Sequence, residues 1–292
     1  MSRASNWLYS FNSEASDVLQ KSKNGKAKTI AVSSGKGGVG KTSIAIKFAK
    51  DLAARGKKVL LIDCDFNLSN TSIKLNIPLN NYFSEMLTQG RPFEDCLYRD
   101  GNFHLLPAAN GDLEQFYKNL NMDEVIIDII NAHENSYDII ILDSPAGISR
   151  ETLTLNAYCD HRFIIVTPDR SSITDSYSLM KVLSKNFGIK ENHIIVNFFS
   201  NKKQYDKVVK TLSETAENFL GCRSYLIGGL RKYDISADAF DRYFLHVADS
   251  AAHKDFVKLS DSYVEKFLGR SLDVEPIPSS VAMRDVHLDV HY

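Results

Sequence analysis

The feature that most constrains the fold is a glycine-rich segment, GKGGVGKT, at residues 35–42. It fits the pattern G-x-x-x-x-G-K-[ST], and it lies between a short apolar run at 29–33 and a helix-like stretch at 42–55. Glycines let successive backbone N–H groups converge on a phosphate chain, and the N-terminus of a following helix also favours an anion. The segment therefore predicts a phosphate-binding loop that joins a buried strand to a helix.

The residue types within this loop suggest separate roles. We expect Lys41 to reach the β- and γ-phosphates of a nucleotide and the Thr42 hydroxyl to hold Mg²⁺. Lys36 is a second cation, which could neutralise charge that develops in a transition state. The alternative is a tight turn without a ligand, which the complete motif in this context disfavours. The predicted nucleotide-binding residues are Gly35, Lys36, Gly37, Gly38, Val39, Gly40, Lys41, Thr42 and Ser43.

Short apolar runs alternate with helix-like segments along most of the chain. The runs are continuously apolar, as in strands that are buried on both faces. This order predicts an α/β fold: a single-domain, doubly wound, mostly parallel sheet flanked by helices on both faces, with an edge strand or hairpin near 103–107. The predicted strands are 29–33, 58–63, 138–143, 162–167 and 193–197, and the predicted helices are 42–55, 171–187 and 202–220.

Composition sets the domain boundaries and the broad class of protein. We expect an N-terminal extension and linker at 1–27, with a short helix from Ser13 to Lys21, a nucleotide-binding domain at 28–270 and a tail at 271–292. The polar N-terminus is unlike a signal peptide, and the 4 cysteines are widely spaced. Both features favour a reduced, cytoplasmic protein. A formal net charge of −1 gives no support to nucleic acid as a partner.

Acidic residues follow two of the predicted strands. Asp63 ends the run 58–63 and Asp65 lies two residues further on, whereas Asp143 ends the run 138–143. Because parallel strands end at one edge of the sheet, these carboxylates can meet the phosphate loop there. Thr42, Asp63 and Asp143 form the predicted metal set. The alternative is that the aspartates only cap loops.

Several segments resemble one ATPase superfamily. The loop KGGVGKT, with Lys36 at its start, resembles that of the deviant Walker A ATPases, which include MinD, ParA and the nitrogenase iron protein. DSPAGIS at 143–149 and VTPDRSSITDSY at 166–177 are similar to segments of MinD and of the flagellar FlhG family, also called FleN. The second segment is closer to FlhG. The resemblance covers about residues 27–245 and implies a P-loop NTPase fold of the SIMIBI or MinD type.

The resemblance also implies roles for individual residues. Lys36 would reach across an ATP-dependent homodimer to the phosphates of the partner subunit. Asp65 would position the attacking water, and Asp63 would support Mg²⁺ from its second coordination shell. Asn197, at the end of the run 193–197, would contact the adenine base. The implied cofactors are ATP or ADP and Mg²⁺.

A switch is the function that this resemblance implies. It would hydrolyse ATP to ADP and phosphate, slowly and with stimulation by a partner, and would regulate flagellar number and placement. The implied partners are an FlhF-type GTPase and flagellar basal-body or regulator proteins. The alternatives are a MinD-like division-site ATPase and a ParA-like partition ATPase. An iron–sulfur carrier is disfavoured because no CxxC pair is present, and a non-hydrolysing scaffold is disfavoured by the intact set of site residues.

Two segments depart from the FlhG pattern. Residues 14–20 lack the glutamine and arginine of the element through which FlhG proteins stimulate FlhF. In the segment 225–234, which we expect to be a loop at the base site, Leu230 or Arg231 stands where relatives have proline.

The last helix-like segment, 255–270, has an apolar stripe that includes Phe256, Leu259, Tyr263 and Phe267. Two interpretations remain open for it. It packs onto its own domain, or it makes a reversible peripheral contact with the inner membrane.

Overall fold

The computed structural model describes residues 27–66, 70–108, 121–247 and 250–269. Within these ranges the chain forms an 8-stranded sheet in the order β3-β4-β2-β5-β1-β6-β7-β8. Only β3 runs antiparallel to its neighbour. The strands are β1 (Lys28–Ser33), β2 (Val59–Asp63), β3 (Tyr98–Asp100), β4 (Phe103–Leu106), β5 (Ile139–Asp143), β6 (His161–Val166), β7 (Glu191–Phe199) and β8 (Arg223–Arg231).

Helices cover both faces of this sheet, as the sequence predicts. They are α1 (Lys41–Ala54), α2 (Asn70–Leu75), α3 (Tyr82–Gln89), α4 (Met122–His133), α5 (Arg150–Tyr158), α6 (Arg170–Phe187), α7 (Lys202–Leu220), α8 (Ala237–His246) and α9 (Ala251–Tyr263). Two 3₁₀ turns, Phe93–Cys96 and Glu134–Ser136, and a π turn, Val264–Leu268, complete the described elements.

Alternate residues of each central strand point into different cores. Ile30 of β1 packs in a cluster with α1, α8 and α9, whereas its neighbour Ala31 packs in a cluster with α4 and α5 on the other face. Two smaller clusters join β6 and β7 to α6 and α7. Burial on both faces explains why these strands are continuously apolar. The predicted doubly wound architecture is therefore confirmed, and the predicted edge hairpin is β3–β4.

The apolar stripe of the last helix packs onto its own domain. Phe256, Leu259 and Tyr263 are at most 2% exposed. The ring of Phe48 on α1 lies 5.0 Å from that of Phe256 and 5.9 Å from that of Tyr263, measured between centroids. Phe267 in the π turn packs against the same core. The packing interpretation thus accounts for the stripe without a membrane.

The segment 225–234 is not the loop that the sequence suggested, since most of it belongs to β8. Its two glycines, which favour a loop in the sequence, serve close packing instead. The register between β7 and β8 shifts at Gly228, where φ is 153°. A Cβ built on Gly229 would lie 2.7 Å from both the Tyr205 ring and the Val196 carbonyl oxygen. Glycine is therefore required inside this strand.

Some predictions concern residues outside the described ranges. These are the helix Ser13–Lys21, the departure at 14–20 and the tail 271–292. Ala27, the first described residue, is already buried in the core on the α4 face. None of the helices in the described ranges combines the length and the hydrophobicity needed to span a lipid bilayer.

Candidate functional site

The glycine-rich loop crosses the carboxyl end of β1 and leads into α1. Gly38 and Gly40 have φ angles of 74° and 91°, which glycine adopts without steric cost. A Cβ built on Gly40 would lie 2.5 Å from Nδ2 of Asn197, and one built on Gly35 would lie 2.1 Å from the backbone carbonyl carbon of Asp175 on α6. The loop is pressed against two neighbouring elements, so its path depends on glycine at these positions.

Lys41 is the first residue of α1 and follows Gly40, the N-cap. Burial lowers the pKa of the Lys41 ammonium below its ordinary value, and the charges of Asp143 and Asp65 oppose that shift. The first N–H groups of a helix have no partner inside the helix and favour an anion. A cation, a helix N-terminus and loop amides therefore meet at one place, which suits a polyphosphate.

Asp63 and Asp143 are paired in register at the carboxyl ends of β2 and β5. The two residues are 1% and 2% exposed. Burial raises the pKa of both carboxyls, and the charge of Asp63 adds to the rise at Asp143. For Asp63, hydrogen bonds from the Thr71 hydroxyl (2.6 Å) and the Asp65 N–H (3.1 Å) oppose the rise. Two buried neighbouring carboxylates are costly without a nearby cation.

The same place fits a magnesium ion. Oδ1 of Asp143 is buried without a hydrogen-bond partner, and the Thr42 side chain lies close enough to this carboxylate to oppose the rise of its pKa. Mg²⁺ is typically bound through one or two carboxylates together with substrate phosphates. Thr42 and Asp143 would be the direct ligands. Both oxygens of Asp63 already accept hydrogen bonds, from Thr71 and Asp65. Asp63 would therefore support the ion through its ligands without touching it.

Asp65 lies just beyond the end of β2 and is partly exposed. Its charge acts on Lys41 and on Asp143. It is therefore near the phosphate end of the site and accessible to water, as a residue that orients a nucleophile needs to be. The structure thus brings together Lys41, Thr42, Asp63, Asp65 and Asp143.

Lys36 occupies a different place, on the exposed side of the loop. Its Nζ donates hydrogen bonds to Oδ1 of Asp169 at 3.0 Å and to Oγ of Ser171 at 2.8 Å. Asp169 also accepts from the Ser172 N–H at 2.9 Å as the N-cap of α6 and from the Thr167 hydroxyl. Burial raises the pKa of Asp169, but the hydrogen bonds from Ser171, Thr167, Ser172 and Lys36 outweigh it and hold that pKa well below its ordinary value. The second lysine is tethered within its own chain.

Two predicted nucleotide-binding side chains make other contacts. Nδ2 of Asn197 donates to the Val39 carbonyl at 2.8 Å, and its Oδ1 accepts from the Phe198 N–H at 3.0 Å. Asn197 is 1% exposed, and its hydrogen bond to Val39 fixes the loop to the end of β7. Ser43 is buried, and its hydroxyl donates to Asp241 of α8.

Three residues at the site were not singled out in the sequence. Asp169 anchors Lys36, Thr71 anchors Asp63 and Asp241 anchors Ser43. Asp169 lies in the TPD segment, whose N-cap pattern before a helix was readable. Asp241 lies 198 residues along the chain from Ser43, and local sequence carries no signal for such a pairing. Thr71 lies only 8 residues beyond Asp63, but its pairing depends on how the chain turns back after β2.

The iron–sulfur alternative finds no support in the cysteines. All 4 are buried free thiols: Cys64, Cys96 and Cys159 pack in the core on the α4 face, and Cys222 packs in a cluster with α6 and α7. None stands at the exposed face of the glycine-rich loop.

Comparison with known proteins places the site in context. A protein-family profile described as "AAA domain" matches residues 27–196. The chain is similar to the antiactivator FleN of Pseudomonas aeruginosa, with 24% identity over 257 residues that cover 86% of this chain and 88% of FleN. It is also similar to the flagellum site-determining protein YlxH of Helicobacter pylori, with 30% identity over 197 residues and 66% of each protein covered.

A solved structure supports the fold over most of the chain. A chain of the MinC:MinD cell division protein complex of Aquifex aeolicus superposes with a TM-score of 0.61 and 27% identity. The superposition covers 85% of this chain and 98% of the Aquifex chain. The family profile, for its part, spans the glycine-rich loop and the ends of β2 and β5.

Proposed function

Because the chain belongs to the AAA domain family, as a P-loop ATPase of the MinD/ParA type, we propose that it is an ATP-driven switch that regulates flagellar number and placement. The observation that carries the switch is the different setting of its two loop lysines. Lys41 is half-buried and interacts with the charge of Asp143, whereas Lys36 is exposed and held by a single exposed carboxylate. One lysine belongs to the subunit's own site, and the other is available to a second subunit.

The site residues suggest how the chain handles ATP and ADP with Mg²⁺. Bound Mg²⁺ would neutralise charge on the β- and γ-phosphates. The loop amides and Lys41 hold the phosphate chain, Thr42 and Asp143 present the oxygens that a cation needs, and Asp65 orients water toward the γ-phosphate. Hydrolysis gives ADP and phosphate.

A second copy of the chain would complete the site. Lys36, released from Asp169, would cross to the partner's phosphates and stabilise the charge of the transition state. Turnover is then slow in the monomer and rises when a partner protein favours the dimer. Nucleotide state is thereby coupled to assembly, which is the property of a switch.

The flagellar role is supported by similarity to FleN and YlxH, whose names describe flagellar control. An FlhF-type GTPase and basal-body or regulator proteins are the partners that this role calls for. Division-site placement is the second candidate, because a chain of the MinC:MinD complex is also similar. Partition is the third, and the net charge of −1 gives its DNA binding no support.

The boundaries and location of the chain belong to the same proposal. The ATPase domain is assigned to 28–270, between an extension at 1–27 and a tail at 271–292. We propose a cytoplasmic protein. Reversible inner-membrane contact through 255–270 would require Phe256 and Tyr263 to leave the core, which weighs against it. Flotation with anionic liposomes in ATP or ADP tests that contact directly.

The cellular test is to delete the gene and to count flagella and minicells in the same micrographs. We expect an altered number or position of flagella with normal division, restored by the wild-type gene and not by Lys41→Ala or Lys36→Ala. Minicells with normal flagella would assign the protein to division-site placement instead. Phosphate release by the purified wild type, abolished in Lys41→Ala, tests the ATPase separately from the cellular role.

A further inference from the structure

Recognition of the base is the part of nucleotide binding that the predicted residues leave open. Asn197, expected to contact adenine, instead donates to the loop carbonyl of Val39 and accepts from the next N–H. Of the two residues that can stand where relatives have proline, Leu230 is 1% exposed inside β8, and Arg231 forms an ion pair with Asp255 at 2.8 Å. Asn197 and Leu230 present no surface on which a base could lie.

Phe198 stands next to Asn197 in an unusual backbone conformation. Its φ is 58°, and Asn76 is the other non-glycine residue with positive φ among the described residues. For a bulky aromatic residue the left-handed region is a steric outlier that costs free energy. Such strain persists where the surrounding structure imposes it, and it concentrates at ligand sites.

The strained residue touches the phosphate loop. A Cβ built on Gly40 would lie 3.5 Å from Cζ of Phe198. The ring also lies edge-to-face with that of Phe240 on α8, at 5.7 Å between centroids and 75° between planes. Phe198 remains partly exposed, whereas Phe240 is 8% exposed. Phe240 thus fixes the orientation of a ring that lies beside the loop and belongs to a partly exposed residue.

The sheet order indicates the direction in which a nucleotide must extend. On one side of β1 lie β5 and β2, whose ends carry the buried carboxylates Asp143 and Asp63. Those acidic groups suit the Mg²⁺-bound phosphate end. On the other side lie β6 and β7, and the end of β7 carries Phe198. A base attached to phosphates in the loop would therefore extend toward Phe198.

We propose that Phe198 is a stacking platform for the purine base of the bound nucleotide. This inference rests on the proposed nucleotide binding and adds to it the group that holds the base. An aromatic ring held rigidly by Phe240 can stack on the flat face of a base, and removal of such a ring typically weakens binding about tenfold or more. Since stacking does not read hydrogen-bonding groups, Phe198 contributes affinity for purines rather than choice between them.

The test separates the base from the phosphates. Affinities of the full-length chain for ATP and for inorganic tripolyphosphate are measured by calorimetry with Mg²⁺, for the wild type, Phe198→Ala, Phe198→Leu and Phe198→Tyr. Phe219→Ala is the matched control, since Phe219 is 71% exposed at the end of α7. That end leads into the start of β8, at the amino ends of the strands and away from the loop. Leucine keeps apolar bulk without a π-face, and tyrosine keeps the ring.

We expect ATP to bind about tenfold more weakly to the Ala and Leu variants, while Tyr and the control stay within about twofold of the wild type. Affinity for tripolyphosphate should not change. Three results would overturn the platform and leave the ATPase assignment intact. They are an equal ATP affinity for Phe198→Ala and the wild type, an equal ATP affinity for Phe198→Leu and Phe198→Tyr, or a parallel loss of affinity for ATP and tripolyphosphate in Phe198→Ala. A wild type that binds neither ligand would overturn nucleotide binding, and the platform with it.

Discussion

Lys36 and Asp169 form an ion pair that ties the start of the phosphate loop to the N-terminus of α6, with 3.0 Å between Nζ and Oδ1. Their side chains are 43% and 45% exposed, so the pair contributes less than about 1 kcal/mol. The same aspartate caps α6. The lysine that we propose to act in a second subunit is therefore held by a weak ion pair. A more highly charged anion, such as the phosphates of the partner subunit's nucleotide, can replace Asp169 in that pair.

Replacing Asp169 by serine should free Lys36 while α6 keeps an N-cap, because serine is also a favoured capping residue. We expect Asp169→Ser to dimerise with ATP at a lower protein concentration than the wild type, since no internal carboxylate competes for the ammonium and only the neutral Ser171 hydroxyl remains beside it. Sedimentation velocity across a concentration series measures this. Lys36→Ala is the control and should stay monomeric. Dimerisation of Asp169→Ser only at higher concentrations than the wild type would show that Asp169 supports the dimer.

Gly35 and Gly37 should differ in their tolerance of a methyl group. A Cβ on Gly35 would meet the backbone of Asp175 at 2.1 Å, whereas nothing lies within 4 Å of one on Gly37. We expect Gly35→Ala to lower the free energy of unfolding by about 3 kcal/mol, and Gly37→Ala to change it by less than about 0.5 kcal/mol. Urea unfolding followed by circular dichroism compares them. Similar midpoints would mean that the loop can move away from α6.

Asp143→Asn should separate stability from activity. The carboxylate is buried beside Asp63, and burial together with that neighbouring charge raises its pKa. The isosteric amide removes the charge, so we expect the free energy of unfolding of the nucleotide-free protein to rise by about 1 kcal/mol. Mg²⁺-dependent phosphate release should be lost.

Asp65→Asn is the comparison for this prediction, because Asp65 is partly exposed. It should lose phosphate release without gaining stability. Thermal melts without nucleotide and a phosphate assay with and without EDTA give both quantities. An Asp143→Asn protein that melts below the wild type would indicate that the carboxylate stabilises the empty site.

His193 should make stability depend on pH. Burial first, then the charges of His161 and Arg162, place its pKa well below its ordinary value, so the folded protein keeps the ring neutral. Below about pH 6.5 His193 binds a proton in the unfolded chain but not in the folded protein. The free energy of unfolding therefore falls by up to about 1.4 kcal/mol for each unit by which the pH is lowered. His193→Phe should have a smaller slope between pH 5 and 7 in urea titrations. Parallel slopes for both proteins would remove His193 as the cause.

The central part of the fold was predictable because its signals are local. The five predicted strands and three predicted helices all appear within a few residues of their expected ends, since continuous apolar runs report burial on both faces. The strand β8 was missed because Gly228 and Gly229 look like a loop when the close approach of Tyr205 is unknown. The helix α5 carries a mixed sequence, and its N-cap, Ser149, is visible only once the DSPAGIS segment is seen to end there.

The site was predictable where each residue acts within its own motif. Lys41, Thr42, Asp63, Asp65 and Asp143 follow from a loop and two strand ends, and the sheet brings them together. The side-chain partners of Asn197 and Ser43 could not be read from the sequence, because each depends on what the side chain meets in space. Asn197 meets the carbonyl of Val39, and Ser43 meets Asp241, which is supplied by a helix near the end of the described chain.

The contacts of Phe48 with Phe256 and Tyr263 bear on how the protein is made. The helix α1 begins in the phosphate loop, yet the aromatic surface behind it comes from α9, which is synthesised more than 200 residues later. A nascent chain that already contains the whole loop still lacks the support that seats α1. Tight nucleotide capture therefore has to wait until α9 has been synthesised, so chains that lack α9 would not compete with folded molecules for the cell's ATP.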